Sequence, residues 1–236
     1  MTASRQNEGV KMEARAALAR KALPKFLAAI PVLAAVFFIP AGTLDYWQAW
    51  VYSAIVLVPL LFVVAYFLKN DPALLERRMH MKERAKGQSA IIKMATLIIT
   101  IGFLLPGLDR RFGWSHVPAE LSLAADVLVF LGYALVFLVF KENSYASRII
   151  EVAKGQKVIS TGPYAVVRHP MYAGFLVMYI ATPIALGSYW ALPVFLLLVP
   201  AMVLRIRGEE KLLRSELPGY SEYCKRVRYR LVPGLW

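Results

Sequence analysis

Apolar and polar positions fall along this chain in long blocks. Phe26–Leu44 is the first apolar run, with Pro31 and Pro40 inside it, and Asp45-Tyr46-Trp47 ends it as an interface-prone turn. Tyr46–Leu68 is the second run, Ile91–Leu108 the third and Leu121–Phe140 the fourth. Each is close to the ~20 residues that a helix needs to cross about 30 Å of hydrocarbon. The last block, Met171–Leu204, is too long for one crossing, and Gly187-Ser188 divides it. It predicts a helical hairpin whose two arms only just span. The prolines within the runs are expected as kinks, which membrane helices tolerate. The pattern therefore predicts an all-α integral membrane protein of about six transmembrane helices.

Composition agrees with that reading, and charge adds an orientation. The 236 residues are 58% hydrophobic with a net charge of +13. In a soluble protein such a charge would point to nucleic acid. Here it reads as the Lys and Arg excess that fixes cytoplasmic loops. Six basic residues lie in the first 25 residues, six in Lys69–Ser89, five in Lys141–Pro170 and eight in Arg205–Trp236. With six crossings all of these share one side, and only Arg110 and Arg111 fall on the other. Both termini are then expected in the cytoplasm. Lys93 is close enough to its span's inner end to snorkel. Asp126, near the outer end of the fourth span, is expected to face water.

The chain divides into a basic N-terminal segment (1–25), four spans (26–142) and a C-terminal core (143–236). In the first segment, Val10–Lys21 favours an Ala-rich basic helix at the headgroup surface, with a solvated tail as the alternative. A cleaved signal peptide fits poorly, because a second apolar run follows the first after a very short turn. Cys224 is the only cysteine, which excludes an intramolecular disulfide and a Cys-cluster metal site. His80, His116 and His169 are too scattered for zinc-ligand spacing. No dinucleotide or phosphate glycine fingerprint is present. No internal repeat appears, which weighs against an inverted-repeat transporter.

Candidate chemistry gathers around Thr161–Gly174, a polar strip that opens the hairpin. Pro170 suits the first position of a helix, and His169 is held extended by the proline after it. The N–H groups of Met171 and Tyr172 would then lack helical acceptors and face the positive end of the helix dipole, a place for an anion. A hairpin returns its ends to one face. Arg168, His169 and the two tyrosines Tyr164 and Tyr172 should therefore meet Arg205, Arg207, Glu209 and Glu210. Read singly, these residues could be membrane-surface anchors and a solvated helix face; Lys211, Arg214 and Glu216 are expected to be no more than that.

Gly162-Pro163-Tyr164, Arg168-His169-Pro170-Met171-Tyr172, an apolar hairpin, Glu209-Glu210 and Pro218-Gly219-Tyr220-Ser221-Glu222-Tyr223 together resemble the isoprenylcysteine carboxyl methyltransferase family, in particular its bacterial and archaeal members. They resemble the phospholipid N-methyltransferases more distantly. The resemblance implies a bacterial inner-membrane enzyme with S-adenosylmethionine as methyl donor, bound at the cytoplasmic ends of the last helices. It implies cofactor contacts at Gln156, Lys157, Val158, Ile159, Tyr164, His169, Pro170, Met171, Tyr172 and Glu209, with Arg205 beside the substrate as the catalytic residue. Gln156 stands where eukaryotic members carry histidine, and an upstream glutamine contact of those members has no counterpart among Arg148–Ala153.

The residues themselves agree with that layout. The donor's carboxylate suits the helix N-terminus, and its ammonium and hydroxyls suit Glu209. Methyl transfer to a carboxylate needs no general base, since the acceptor is already ionised near pH 7. It needs alignment and desolvation, and a guanidinium such as Arg205 could orient the carboxylate. A protonated amine would require a base, for which only His169 and the two glutamates offer themselves. The residues thus lean towards a carboxylate acceptor, and the resemblance implies a lipophilic, isoprenylcysteine-like one entering from the bilayer. A phospholipid or other lipid N-methyltransferase is one alternative. An NADPH-dependent membrane reductase of related architecture is another. A transporter or non-catalytic membrane protein is a third, for which polar residues at mid-membrane would be expected.

Overall fold

The computed structural model describes residues 2–79, 88–146, 152–153 and 155–236. Lys82, Arg84, Lys86, Arg148 and Lys154 from the charge balance, and most of Arg148–Ala153, lie outside the described residues. The described residues are helical or irregular, with no strand among them. In chain order the helices are α1 (Thr2–Ala41), α2 (Trp47–Asn70), α3 (Pro72–Met79), α4 (Gln88–Phe112) and α5 (Ala119–Glu142). They continue with α6 (Pro170–Ala185), α7 (Ala191–Leu196), α8 (Leu198–Glu216) and α9 (Tyr220–Arg226).

Among the described residues, five helical stretches are long and apolar enough to cross a membrane: Arg15–Ala41, Trp47–Asn70, Ser89–Phe112, Ala119–Glu142 and Ala191–Glu216. Helix α6, at 16 residues, is a shorter apolar helix of about 24 Å at 1.5 Å per residue. The six apolar helices of the sequence reading are therefore present. The divided block is a hairpin that turns at Gly187, whose φ of +74° a side chain would strain. Its second arm runs on to Glu216, well beyond Leu204, through α7 and α8.

Close approach of α5 and α6 sets the core. A Cβ on Gly132 would lie 2.6 Å from Met178 Cγ and 2.8 Å from the Gly174 carbonyl oxygen. One on Gly174 would lie 2.8 Å from Val136 Cγ2. Small residues facing each other let the backbones touch, the usual device where lipid removes any hydrophobic drive between helices. Gly107 does the same for α4 against Phe37 and Pro40 of α1. Phe37, Tyr52, Phe103 and Phe195 fill the middle of the bundle with edge-on and tilted ring contacts.

Three expectations change. The basic N-terminal segment is continuous with the first span as one helix from Thr2. Leu18 and Ala22 are buried against Leu75, so this stretch packs on α3 instead of ending at the span. Tyr46 is no surface anchor: it is 1% exposed, and its hydroxyl donates to the Leu186 carbonyl across the hairpin turn. Asp126 is 2% exposed, not water-facing, and neither of its carboxylate oxygens has a hydrogen-bond partner among the described residues. The α5–α6 contact that buries it is a tertiary feature that hydropathy along one helix does not reveal. Asp109, on the same turn-side end, is equally buried but accepts from Ser115 N, Ser115 Oγ and Ser188 Oγ, which fastens the hairpin turn.

Candidate functional site

At the opposite end of the α5–α6 pair the polar strip folds as expected, with one addition from the C-terminal tail. Gly162–Ala165 forms a single 3₁₀ turn, and α6 begins at Pro170 with His169 before it. No side chain caps that helix; its first bond is from Ala173 N–H to the His169 carbonyl. The N–H groups of Met171 and Tyr172 precede the ladder. Before the helix, the backbone N–H groups of Arg168 and His169 donate to the carbonyls of Tyr229 and Arg230, 2.9 Å each. The tail is itself pinned, since Arg230, Leu231 and Val232 all donate N–H to the Trp236 carbonyl oxygen.

Glu210 locks the strip to α8. It is 4% exposed and accepts from Arg168 Nε at 2.7 Å and Arg230 Nε at 3.1 Å. His169 Nε2 lies 3.3 Å away and serves as the donor, because a carboxylate can only accept. Arg168, 6% exposed, also donates to the carbonyls of Val227 and Arg228. It is thus a buried keystone and not a surface anchor. Each buried charge here has an opposite charge and hydrogen bonds, the condition under which burial of ions is sustained.

Glu209 is placed differently. One position earlier on α8, it is half-buried and accepts from the Tyr172 hydroxyl at 2.8 Å. It faces a pocket that Gln156, Lys157, Val158, Ile159, Tyr164, His169, Pro170, Met171, Tyr172 and Arg205 line as well. The structure therefore brings together every residue that the resemblance implied for the site, but not Arg207, which the hairpin was also expected to bring there. Arg207 and Lys211 are exposed and line no part of it.

Sequence reasoning missed several wall residues. Asn143, at the C-terminal end of α5, donates to the Tyr164 hydroxyl at 2.9 Å. Tyr223 donates to the Tyr164 carbonyl at 2.8 Å, and Leu213, Leu217 and Tyr220 complete an apolar, aromatic side. The signal for the two tyrosines was present in Pro-Gly-Tyr-Ser-Glu-Tyr, but nothing marked Asn143. Burial, then the nearby Glu209 carboxylate, pushes the Tyr164 hydroxyl up to about 12, although the Asn143 hydrogen bond pulls the other way. Burial likewise raises Tyr220 and Tyr223, so all three are neutral donors at pH 7.

These residues fit S-adenosylmethionine. The uncapped start of α6 offers N–H groups to a carboxylate, and Glu209 offers acceptor oxygens to an ammonium or hydroxyl. Val158, Ile159, Leu213 and Leu217 offer an apolar face for a base. The Tyr220 hydroxyl is buried in the pocket wall beside Cys224. Among the described residues, no group of three or more His, Cys, Asp or Glu could hold a metal ion.

Fold and pocket together describe a multi-helix membrane protein with a polar pocket at one end of its helix bundle. The described fold matches the eukaryotic intramembrane Ras methyltransferase, isoprenylcysteine carboxyl methyltransferase, with a TM-score of 0.50 and 18% identity. That match covers 86% of this chain and 74% of the other. Residues 121–217 match the phospholipid methyltransferase family model, a stretch somewhat under half of the chain. Among curated proteins, the Delta(14)-sterol reductase of Mus musculus is 36% identical over 87 residues, 36% of this chain and 21% of that protein. The cobalt-zinc-cadmium resistance protein CzcN of Cupriavidus metallidurans is 31% identical over 134 residues, 55% of this chain and 58% of that protein. The chain thus spans about a fifth and somewhat over half of the lengths of these two relatives.

Proposed function

We propose that this protein is an S-adenosylmethionine-dependent methyltransferase acting on a lipophilic carboxylate that enters from the bilayer. The observation that carries the reading is the junction of two spaces at Tyr172 and Arg205. Both residues line the polar pocket, and both line an apolar crevice between α4, α6 and α8 whose walls include Ile91, Ile99, Tyr179 and Met202. A hydrocarbon tail in the crevice would bring its polar end to the Arg205 guanidinium, next to the space that Glu209 faces.

When bound, S-adenosylmethionine supplies a methyl group on a positively charged sulfur. The protein's part is orientation and exclusion of water. Arg205, 8% exposed, pairs with the acceptor carboxylate in a water-poor setting where such a pair is strong. The α6 N-terminus and Glu209 hold the donor's charged end. The Tyr172–Glu209 hydrogen bond fixes the carboxylate rotamer. No proton need move, because the acceptor is ionised already. His169 is engaged by Glu210, which orients the strip.

Incubation with radiolabelled donor, total membrane lipid and a prenylcysteine analogue tests this reading. Base-labile label on the analogue is the expected result. Stable label on phospholipid would replace carboxyl with N-methylation, the alternative favoured by the phospholipid methyltransferase match over residues 121–217. The 36% identity to a sterol reductase supports a second reading, a nicotinamide-dependent reductase using the same pocket. A thermal shift with NADPH and none with S-adenosylmethionine would establish it.

A further inference from the structure

A second apolar space lies on the other side of α6 and shares no lining residue with the polar pocket. This cavity, of about 380 Å³, is enclosed by α1, α2, α3, α5 and α6. Its walls are aliphatic and aromatic, among them Val64, Phe67, Leu74, Phe137 and Met178, and Arg78 is the single charged residue among its described lining. Phe175 is the one side chain it shares with the α4–α6–α8 crevice, so that ring stands between the two spaces. Several wall residues, Leu60, Val63, Val64 and Tyr133, are only half-buried, and neighbouring Leu61 and Phe62 are exposed. The cavity is therefore approachable from the side, where hydrocarbon would surround the protein.

Arg78 marks one end. Its guanidinium lies over the Phe140 ring, 4.7 Å from the centroid, and its NH1 reaches Met171 Sδ at 3.8 Å. It is thus held at the same end of the bundle as the polar pocket. The flanking chain is basic: Arg15, Arg20, Lys21 and Lys25 precede Phe26, itself a wall residue, and Lys69 and Arg77 close the α2 and α3 ends. An apolar slot with cationic groups at the membrane-surface end has the chemistry that selects a lipid with a negative head.

We propose that this cavity holds one acyl chain of an anionic phospholipid, with its phosphate at Arg78, as a bound lipid separate from the methyl acceptor. The acceptor crevice shares Tyr172 and Arg205 with the pocket, whereas this cavity meets the pocket at contacts between separate walls, such as Arg78 with Met171 and Ala146 with Phe67 and Leu74. The occupant therefore braces α3, α5 and α6 and does not present a group for transfer. This does not depend on the methyl-transfer reading, and its test uses no turnover.

The full chain is delipidated in detergent and titrated with dioleoylphosphatidylglycerol, dioleoylphosphatidylcholine or oleate, reading melting midpoint and lipid retained by native mass spectrometry. For the wild type, the phosphatidylglycerol arm is expected to give a saturable upward shift with one lipid retained. Phosphatidylcholine should give a weaker shift, and oleate little. Val64→Trp, which fills the cavity, should lose both the shift and the retained lipid. Arg78→Gln should keep chain binding but lose the preference for phosphatidylglycerol. If Val64→Trp does not fold, Val63→Phe fills the same space more gently and is read the same way. Retention unchanged in the filled variant, phosphatidylcholine as effective as phosphatidylglycerol, or oleate as effective as either would each overturn the proposal.

Discussion

Glu210 and Asp126 are both nearly fully buried carboxylates, at opposite ends of the α5–α6 pair, and their surroundings have nothing in common. Glu210 accepts from Arg168 and Arg230 and holds His169. Asp126 accepts from none of the described residues. The same contrast recurs in milder form between neighbours on α8, for Glu210 is saturated while Glu209 has one hydroxyl donor and faces the pocket. A saturated carboxylate is architecture. A carboxylate with open lone pairs beside a cavity is available to a ligand. One with open lone pairs buried within the bundle is a standing cost to the fold.

That contrast is broken most forcefully at Glu210. Glu210→Ala leaves Arg168 buried without its counter-charge, and breaking such a pair costs about 3–5 kcal/mol. A large fall in melting midpoint is expected, together with loss of order in the tail that Arg168 and His169 hold. A variant as stable as the wild type would show that the network is not structural. At Asp126 the expected sign is opposite. An unsatisfied buried acceptor costs on the order of 1–3 kcal/mol, so Asp126→Leu, similar in size and apolar, should raise the midpoint. A destabilised Asp126→Leu would mean that this carboxylate has a partner in the membrane.

The smallest effect concerns pH. The folded Tyr164 hydroxyl titrates near 12, above its ordinary value of 10.0. Its contribution is whole below pH 10 and is lost as pH rises towards 12, because the unfolded chain releases its proton first. Tyr220 and Tyr223, also raised, act in the same direction. Tyr164→Phe should therefore flatten, without abolishing, the decline of melting midpoint between pH 10 and 12. An unchanged slope would place the tyrosine in a less buried setting.

Much of the site was legible because its two halves each carry a local signature. Pro170 announces a helix start, Glu209 and Arg205 are four residues apart on one helix face, and Gly187-Ser188 shows how the halves return to one end. Hydropathy made the spans equally legible. The division of labour between Glu209 and Glu210 was not, because it depends on Arg230, a residue in an irregular tail with no periodicity to place it. Arg168 looked like a surface anchor for the same reason, its carbonyl partners lying some 60 residues downstream at Val227 and Arg228. Asp126 was misjudged because nearness to a span's end was equated with access to water. Gly132 and Gly174 draw α6 against that helix and close the access.

Binding of S-adenosylmethionine to the purified full chain by calorimetry, wild type against Glu209→Ala, tests the central claim most directly. The account predicts saturable binding to the wild type, and for Glu209→Ala an affinity lower by about tenfold or more, the worth of one charged hydrogen bond. The melting midpoint without ligand should be nearly unchanged, since Glu210 and not Glu209 holds the fold. Equal affinity in both proteins, or no binding to the wild type, would contradict the assignment of the pocket.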